Sequence, residues 1–221
     1  GISLIAINTE SYKTLPKDLC SIAVEQKIDH VFWNNEFGFN ETIRDQNSIK
    51  LLKENNICSS SFHDQVIYAP GFLKTGQGNP FSVFTPYKRR WVENFDMNFL
   101  DIAKVSKPKR PSSIRSDLSA LKFVKTHSAS IDLWPAGESA AQEKLANFLQ
   151  SKANSYSESR NSPIIDGTSR ISPYLALGIL SPKRCILEGL KLNDFEFTSG
   201  NKGICKWIDE IVWREFYRNI M

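Results

Sequence analysis

Apolar positions in the first seventy residues fall into short blocks that alternate between two spacings. Ser3-Leu4-Ile5-Ala6-Ile7 is a continuous run of strand length, and residues 17–27 set Leu19, Ile22, Ala23 and the stem of Lys27 along one helical face. Asp29-His30-Val31-Phe32-Trp33 predicts a second strand. Residues 41–56 repeat the helical spacing through Ile43, Ile49, Leu51 and Leu52, stop at Asn55-Asn56, and give way to a third expected strand at 65–69. Strand, helix, strand, helix, strand predicts a parallel, doubly wound sheet. Three strands are few for a sheet covered on both faces, so the expectation is an α/β lobe whose first half lies outside this chain.

The punctuation then changes. Pro70-Gly71 through Asn79-Pro80 reads as a loop, and Thr85-Pro86 as a helix start followed in register by Tyr87, Trp91, Val92 and Phe95. Residues 105–133 are rich in Ser, Lys, Arg and Pro with little periodicity, which predicts a linker. Beyond it the pattern is helical: Ala141, Leu145, Phe148 and Leu149 mark one helix. Ser172-Pro173 and Ser181-Pro182 read as N-cap plus proline starts, the first helix ending near Gly178, and a last helix runs from about Gly203. The expected architecture is α/β followed by all-α: an α/β lobe over 1–104, a linker over 105–135 and a helical lobe over 136–221.

Composition narrows the classes without choosing one. The 221 residues are 41% apolar, enough for a real core, and the net charge of +4 neither demands nor excludes a nucleic-acid partner. Cys20, Cys58, Cys185 and Cys205 sit at long, irregular spacings, and His30, His63 and His127 are scattered. That pattern predicts reduced thiols, no metal and a cytoplasmic protein. Gly1-Ile2-Ser3-Leu4-Ile5 lacks the basic stretch and long apolar run of a signal peptide or membrane anchor.

Two segments carry candidate chemistry. Thr168-Ser169-Arg170-Ile171-Ser172 follows Gly167 and precedes Pro173, so hydroxyls, a guanidinium and the N-H groups of a helix start are close together, a suitable place for a phosphate. The same pattern also serves as a plain N-cap. Tyr156 and Arg160, four residues apart, could add a phenol and a cation or could simply pair on a helix surface. On the last helix Trp207, Glu210, Trp213 or Arg214, and Tyr217 recur every three or four residues, among Ile208, Ile211, Val212 and Ile220. A buried charge needs a partner or a ligand, and Glu210 with Arg214 at i and i+4 could satisfy each other.

Five ordered blocks resemble the DNA photolyase/cryptochrome family, closest to bacterial class I photolyases. They are Asn40-Glu41 with Arg44-Asp45, Phe84-Thr85-Pro86-Tyr87, Tyr156 with Arg160, Gly167 to Leu175 with Gly178 and Ser181-Pro182, and Trp207 to Arg218. The resemblance implies that Tyr156, Thr168, Ser169, Arg170, Ile171, Ser172 and Trp207 contact FAD. It implies that Arg160, Glu210, Trp213, Arg214 and Tyr217 meet a flipped lesion or its backbone. Asn40 and Glu41 would hold a reduced folate antenna, methenyltetrahydrofolate. The implied reaction is light-driven splitting of a cyclobutane pyrimidine dimer in UV-damaged DNA by an electron from reduced FAD. Glu210 would stabilise charge on a dimer base and Trp213 would stack on the extruded dimer.

The rival within the family is a cryptochrome, a flavin photoreceptor without repair activity, and a non-catalytic remnant is a third reading. Trp213 and Glu215-Phe216-Tyr217-Arg218 favour the repair enzyme, as Asn40-Glu41 favours a folate-using one. The resemblance further implies that the chain is an internal piece of a protein that is monomeric at full length. Segments completing the flavin pocket would lie beyond it, so the piece alone is expected neither to hold FAD tightly nor to repair DNA. Faces left uncovered would make it poorly soluble.

Overall fold

Between residues 15 and 54 the expected helix, strand and helix form, each shifted by one or two residues. The structure, a computed structural model, describes residues 2–102, 112–123 and 132–221. Helix α1 spans Leu15–Glu25 with Pro16 in its first turn, strand β1 His30–Asn34, helix α2 Phe39–Glu54 and strand β2 Cys58–Phe62. The two strands pair in parallel, His30 opposite Cys58 and Asn34 opposite Phe62, with α2 as the crossover. Cys20 and Ala23 of α1 meet Leu52 of α2 and Ile57 in a small core, with Val31 and Trp33 packed beside it. Asn55 and Asn56 close α2, Asn56 with φ of 59°, the left-handed region that asparagine tolerates.

Two expected strands are corrected. Residues 3–7 do not join the sheet: Ile5 makes a single parallel bridge to Asp117, the Ala6 N–H donates to the Asp117 carbonyl at 2.7 Å, and the Asp117 N–H donates to Leu4 at 2.9 Å. Ile2 and Leu4 are exposed, so the apolar run is not a buried strand here. Residues 65–69 are not a strand either. Sheet pairing falls instead on Cys58-Ser59-Ser60-Ser61-Phe62, whose serines carry almost no strand signal in sequence.

The segment after β2 finds its partners on a helix. Helix α8, Lys202–Ile220, takes up the backbone of residues 65–71 with three side chains. Arg214 donates to the Gln65 carbonyl at 2.6 Å, Ile67 and Tyr68 donate their N–H groups to Glu215, and Gly71 donates to Asn219 at 3.1 Å. Backbone groups that a sheet would have satisfied are satisfied by α8, and that is why the apolar run at 65–69 stays irregular.

The chain divides into two compact units, Gly1–Phe62 with Ala103–Ser128, and His63–Ile102 with Ala129–Met221. Residues 63–102 therefore fall with the helices, not with the α/β lobe as the boundary expected at 104 would have it. The reason is burial: Tyr68, Leu73, Tyr87, Trp91 and Leu100 belong to the same core as later helical residues such as Leu145, Ile186 and Trp207. Of the expected linker, residues 105–111 and 124–131 lie outside the described residues.

In the helical unit the remaining elements are α3 (Phe84–Glu93), α4 (Glu138–Ser151), α5 (Tyr156–Ser159), α6 (Ser172–Ala176) and α7 (Pro182–Leu192). Helix α4 buries Ala141, Leu145, Phe148 and Leu149, the four periodic positions. Ser181 caps α7 by accepting from Lys183 N at 3.2 Å. Ser172 is the first helical residue of α6, not its cap, so that position falls to Ile171. Asn201 caps α8 through the N–H groups of Gly203 (2.8 Å) and Ile204 (3.1 Å), a contact worth about 1 kcal/mol. Gly203 has no room for a Cβ, because the carbonyl oxygens of Ala153 and Asn154 press against it.

Candidate functional site

The expected site residues fall into three groups in the helical unit, with a separate pair in the α/β unit. The first group lines an open cleft of about 410 Å³ between the outer face of α4 and the loop before α6. Thr168, Ser169 and Arg170 form one wall, Lys144, Asn147 and Lys152 the other, and Phe148 also lines it. Arg170 has φ of 52°, an uncommon conformation for a side-chain-bearing residue. It is fixed there by Trp134, whose indole N–H donates to the Arg170 carbonyl at 2.7 Å. Lys152 and Arg170 flank Asp166 at 2.6 and 3.0 Å, and the Lys152 hydrogen bond is the main reason its carboxyl lies below the ordinary range. A Cβ at Gly167 would collide with the Ser159 side chain. Ser172 is exposed at the start of α6.

The second group is apolar and closed. Tyr156, Ile171 and Trp207 are buried, with Phe148 packed edge-on to Tyr156 at 5.7 Å and tilted against Trp207 at 5.3 Å. Phe148 thus joins this group to the cleft.

The third group lies along α8. Glu210 is ion-paired with Arg160, and Lys206 approaches the same oxygen at 3.8 Å. The pairing with Arg214 weighed from sequence does not form. The Arg160 guanidinium also lies 5.6 Å from the Tyr156 ring, within cation–π range. One turn further, half-buried Trp213 stacks face to face on Phe84, 3.7 Å between centroids and 9° between planes. Tyr217, 56% exposed, lies 5.5 Å from Trp213. Arg214 turns away from this surface to donate to the carbonyls of Gln65 at 2.6 Å and Leu175 at 3.2 Å. Its guanidinium is drawn down to about 10, burial being the largest cause.

Sequence reasoning missed Glu215. Its carboxylate is buried and accepts from Ile67 N, from Tyr68 N at 3.1 Å, from the Trp91 indole at 2.8 Å and from the Tyr87 hydroxyl at 3.3 Å. Burial, the largest influence, pushes its carboxyl up to about 7 against the pull of these donors. The signal was present: Ile208, Ile211, Val212, Glu215 and Phe216 form one helical stripe, and an acid inside an apolar stripe must be held by donors. Lys144 and Lys152 were missed as well, because their proximity to Thr168 depends on how the loop lies over α4.

In the α/β unit Asn40 is exposed in the first turn of α2, and the Glu41 carboxylate folds back against Gly38 at the helix start. Arg44 pairs with Glu36 at 3.1 Å and Asp45 at 2.8 Å. Among the described residues no group of three or more histidine, cysteine or acidic side chains is arranged to hold a metal. Among them, too, no helix is long and apolar enough to cross a membrane.

A family model described as DNA photolyase matches residues 1–111, half of the chain. The chain belongs to the DNA photolyase family. It is 30% identical over 221 residues to the deoxyribodipyrimidine photo-lyase of Escherichia coli, covering all of this chain and 46% of that protein. A bacterial class III photolyase from Agrobacterium tumefaciens superposes with a TM-score of 0.77 at 28% identity, over 100% of this chain and 45% of the other. A Synechocystis cryptochrome shares the fold at a TM-score of 0.71 and 21% identity, over 93% of this chain and 44% of that one. This photolyase-family chain thus spans under half the length of the relatives it matches.

Proposed function

We propose that this chain supplies part of the α/β unit and the opening helices of the cofactor and lesion lobe of a light-driven DNA photolyase that repairs cyclobutane pyrimidine dimers. The observation that carries the reading is on α8: a half-buried acid, Glu210, ion-paired to Arg160, one turn from a half-exposed Trp213 on a helix whose other face is core. A helix with only a structural task has little use for that combination at its surface. Glu210 would meet the polar edge of a dimer base, Trp213 its flat face, and Arg160 and Tyr217 the neighbouring backbone.

The residues present fit the phosphate end of FAD. Thr168 and Ser169 offer hydroxyls and Lys144, Lys152 and Arg170 offer cations, so an anion entering the cleft would compete with Asp166 for the last two, with Glu143 and Asp132 also lining it. Tyr156, Ile171 and Trp207 would back that site from the core, and Ser172 would add a hydroxyl at its rim. Reduced FAD, when bound, supplies the excited-state electron, while the chain's own groups position the dimer and exclude water. Asn40, exposed, and Glu41, partly buried at the start of α2, would contribute to a folate antenna site.

The test is blue-light-dependent loss of thymine dimers from an irradiated oligonucleotide, using the protein carrying this chain loaded with reduced FAD. Repair that falls at least tenfold in Glu210→Ala supports the reading. Flavin binding without any repair would replace it with a cryptochrome-type photoreceptor. Absence of both repair and flavin binding would leave a non-catalytic remnant.

A further inference from the structure

We infer that Phe84 is a positioning residue that backs one face of Trp213 and so fixes the plane in which the indole meets a flat ligand. The inference rests on the reading of Trp213 as the stacking platform for a damaged base step.

Three features carry it. The Phe84 and Trp213 rings are nearly parallel at 3.7 Å, closer than any other aromatic pair described in this protein. Phe216 then meets both edge-on, at 5.9 Å from Phe84 and 5.6 Å from Trp213, which blocks sliding of one ring over the other. Finally, the two helices that bear the rings are locked together two residues beyond Trp213. Glu215 of α8 accepts from Tyr87 and Trp91 of α3, the helix that Phe84 begins.

The consequence is directional. An indole with two open faces can stack on a ligand from either side, or turn about χ2 and lose its orientation. An indole with one face against a fixed phenyl ring is held in one plane, with the more exposed Tyr217 ring near-parallel to it at 5.5 Å and 28°. A planar ligand that displaces the exposed Tyr217 ring or lies beside it extends an existing stack, Phe84, Trp213, ligand, without reorienting the indole. Leucine at position 84 would keep the apolar contact but would not hold the plane; tyrosine would keep both.

The experiment compares the full protein carrying this chain, as wild type, Phe84→Leu and Phe84→Tyr, measuring affinity for a single strand carrying one thymine dimer and for the same strand undamaged. Wild type should prefer the dimer, Phe84→Leu should lose between about twofold and tenfold of that preference, and Phe84→Tyr should retain it. The near-UV circular dichroism of the stacked pair provides a readout without DNA: it should diminish in Phe84→Leu and persist in Phe84→Tyr, with equal helical signal in all three proteins. Preference unchanged in a folded Phe84→Leu protein overturns the positioning role alone. No preference in wild type, with the stacking signal present, overturns the reading of Trp213 as a lesion platform and takes this inference with it. A Phe84→Leu protein that loses helical signal is replaced by Phe84→Met, judged by the same two outcomes.

Discussion

Helix α2 buries Leu52 completely while Ile43 and Ile49 on the same helix are 41% and 42% exposed; helix α4 buries all four of its periodic apolar residues. Both helices announce an apolar face in sequence, and the two units treat it differently. In the α/β unit α2 has α1 and a two-stranded sheet to pack on, so its stripe is wider than its partner. In the helical unit α4 meets a core shared by α3, α6, α7, α8 and the 63–102 segment, and every periodic position finds neighbours. A periodic stripe reports what a helix is prepared to bury, and burial is decided by how much surface comes to meet it.

The largest effect should come from the centre of the better-packed unit. Glu215→Ala would leave the indole of Trp91, the hydroxyl of Tyr87 and the N–H groups of Ile67 and Tyr68 without their acceptor in a buried place. The expected loss is about 3–5 kcal/mol of unfolding free energy, measured by urea denaturation followed through tryptophan fluorescence. In the α/β unit the matching disruption, Leu52→Ala, should cost about 2–3 kcal/mol, because a small core leaves less behind to lose. Equal costs would mean the two cores are packed to the same standard.

The same carboxyl makes the helical unit pH-sensitive. Its pKa rises from the ordinary 4.5 to about 7 in the folded chain, burial being the largest cause. The folded form therefore binds the proton more tightly than the unfolded one. Its contribution is fully present below pH 4.5 and is lost as pH rises to about 7, on the order of 3 kcal/mol across that window. Glu215→Gln should flatten this slope while lowering stability at acid pH only modestly. A wild-type stability that instead climbs from pH 5 to 7, with the same climb in Glu215→Gln, would assign the pH response to other carboxylates.

How much of this was legible follows from the range over which each signal acts. α1, β1, α2, α3, α4, α6, α7 and α8 were marked by local features: Asn55-Asn56 at the end of α2, Ser181-Pro182 at α7, the 141, 145, 148, 149 spacing. The two misread strands were apolar runs whose fate was settled at long range, residues 3–6 by Ile114 to Asp117 and residues 65–71 by Arg214, Glu215 and Asn219. β2 was invisible because three serines become a strand only through their partner. The candidate site divides the same way. Residue types on α8 pointed to its chemistry, but that Glu210 chooses Arg160 over Arg214, and that Phe84 meets Trp213, required the tertiary fold.

Glycine substitutions probe the contrast at smaller scale. Gly203→Ala drives a methyl into two backbone carbonyls, Ala153 and Asn154, which cannot move without displacing α8, so a cost of about 1–3 kcal/mol is expected. Gly38→Ala meets the Glu41 carboxylate, the far end of a flexible side chain, and should cost less than about 1 kcal/mol by the same denaturation measurement. Reversed magnitudes would show that the turn before α2 is the more rigid of the two.

The smallest effect is expected where the α/β unit leaves apolar surface bare. Phe32 on β1 is 63% exposed and Phe62 on β2 53%, with His30 stacked on Phe32 at 4.0 Å. Threonine suits a strand, and an exposed ring contributes little, so Phe32→Thr should change unfolding free energy by no more than about 0.5 kcal/mol. Its visible consequence should be in solution behaviour: bare rings side by side on an open sheet favour self-association, and replacing one should lower the light scattering of concentrated samples. A loss of 2 kcal/mol or more would mean that Phe32 is covered in solution by surface of the same chain or of a second copy. Analytical ultracentrifugation of wild type across a tenfold concentration range separates those two, because only the second cover comes off on dilution.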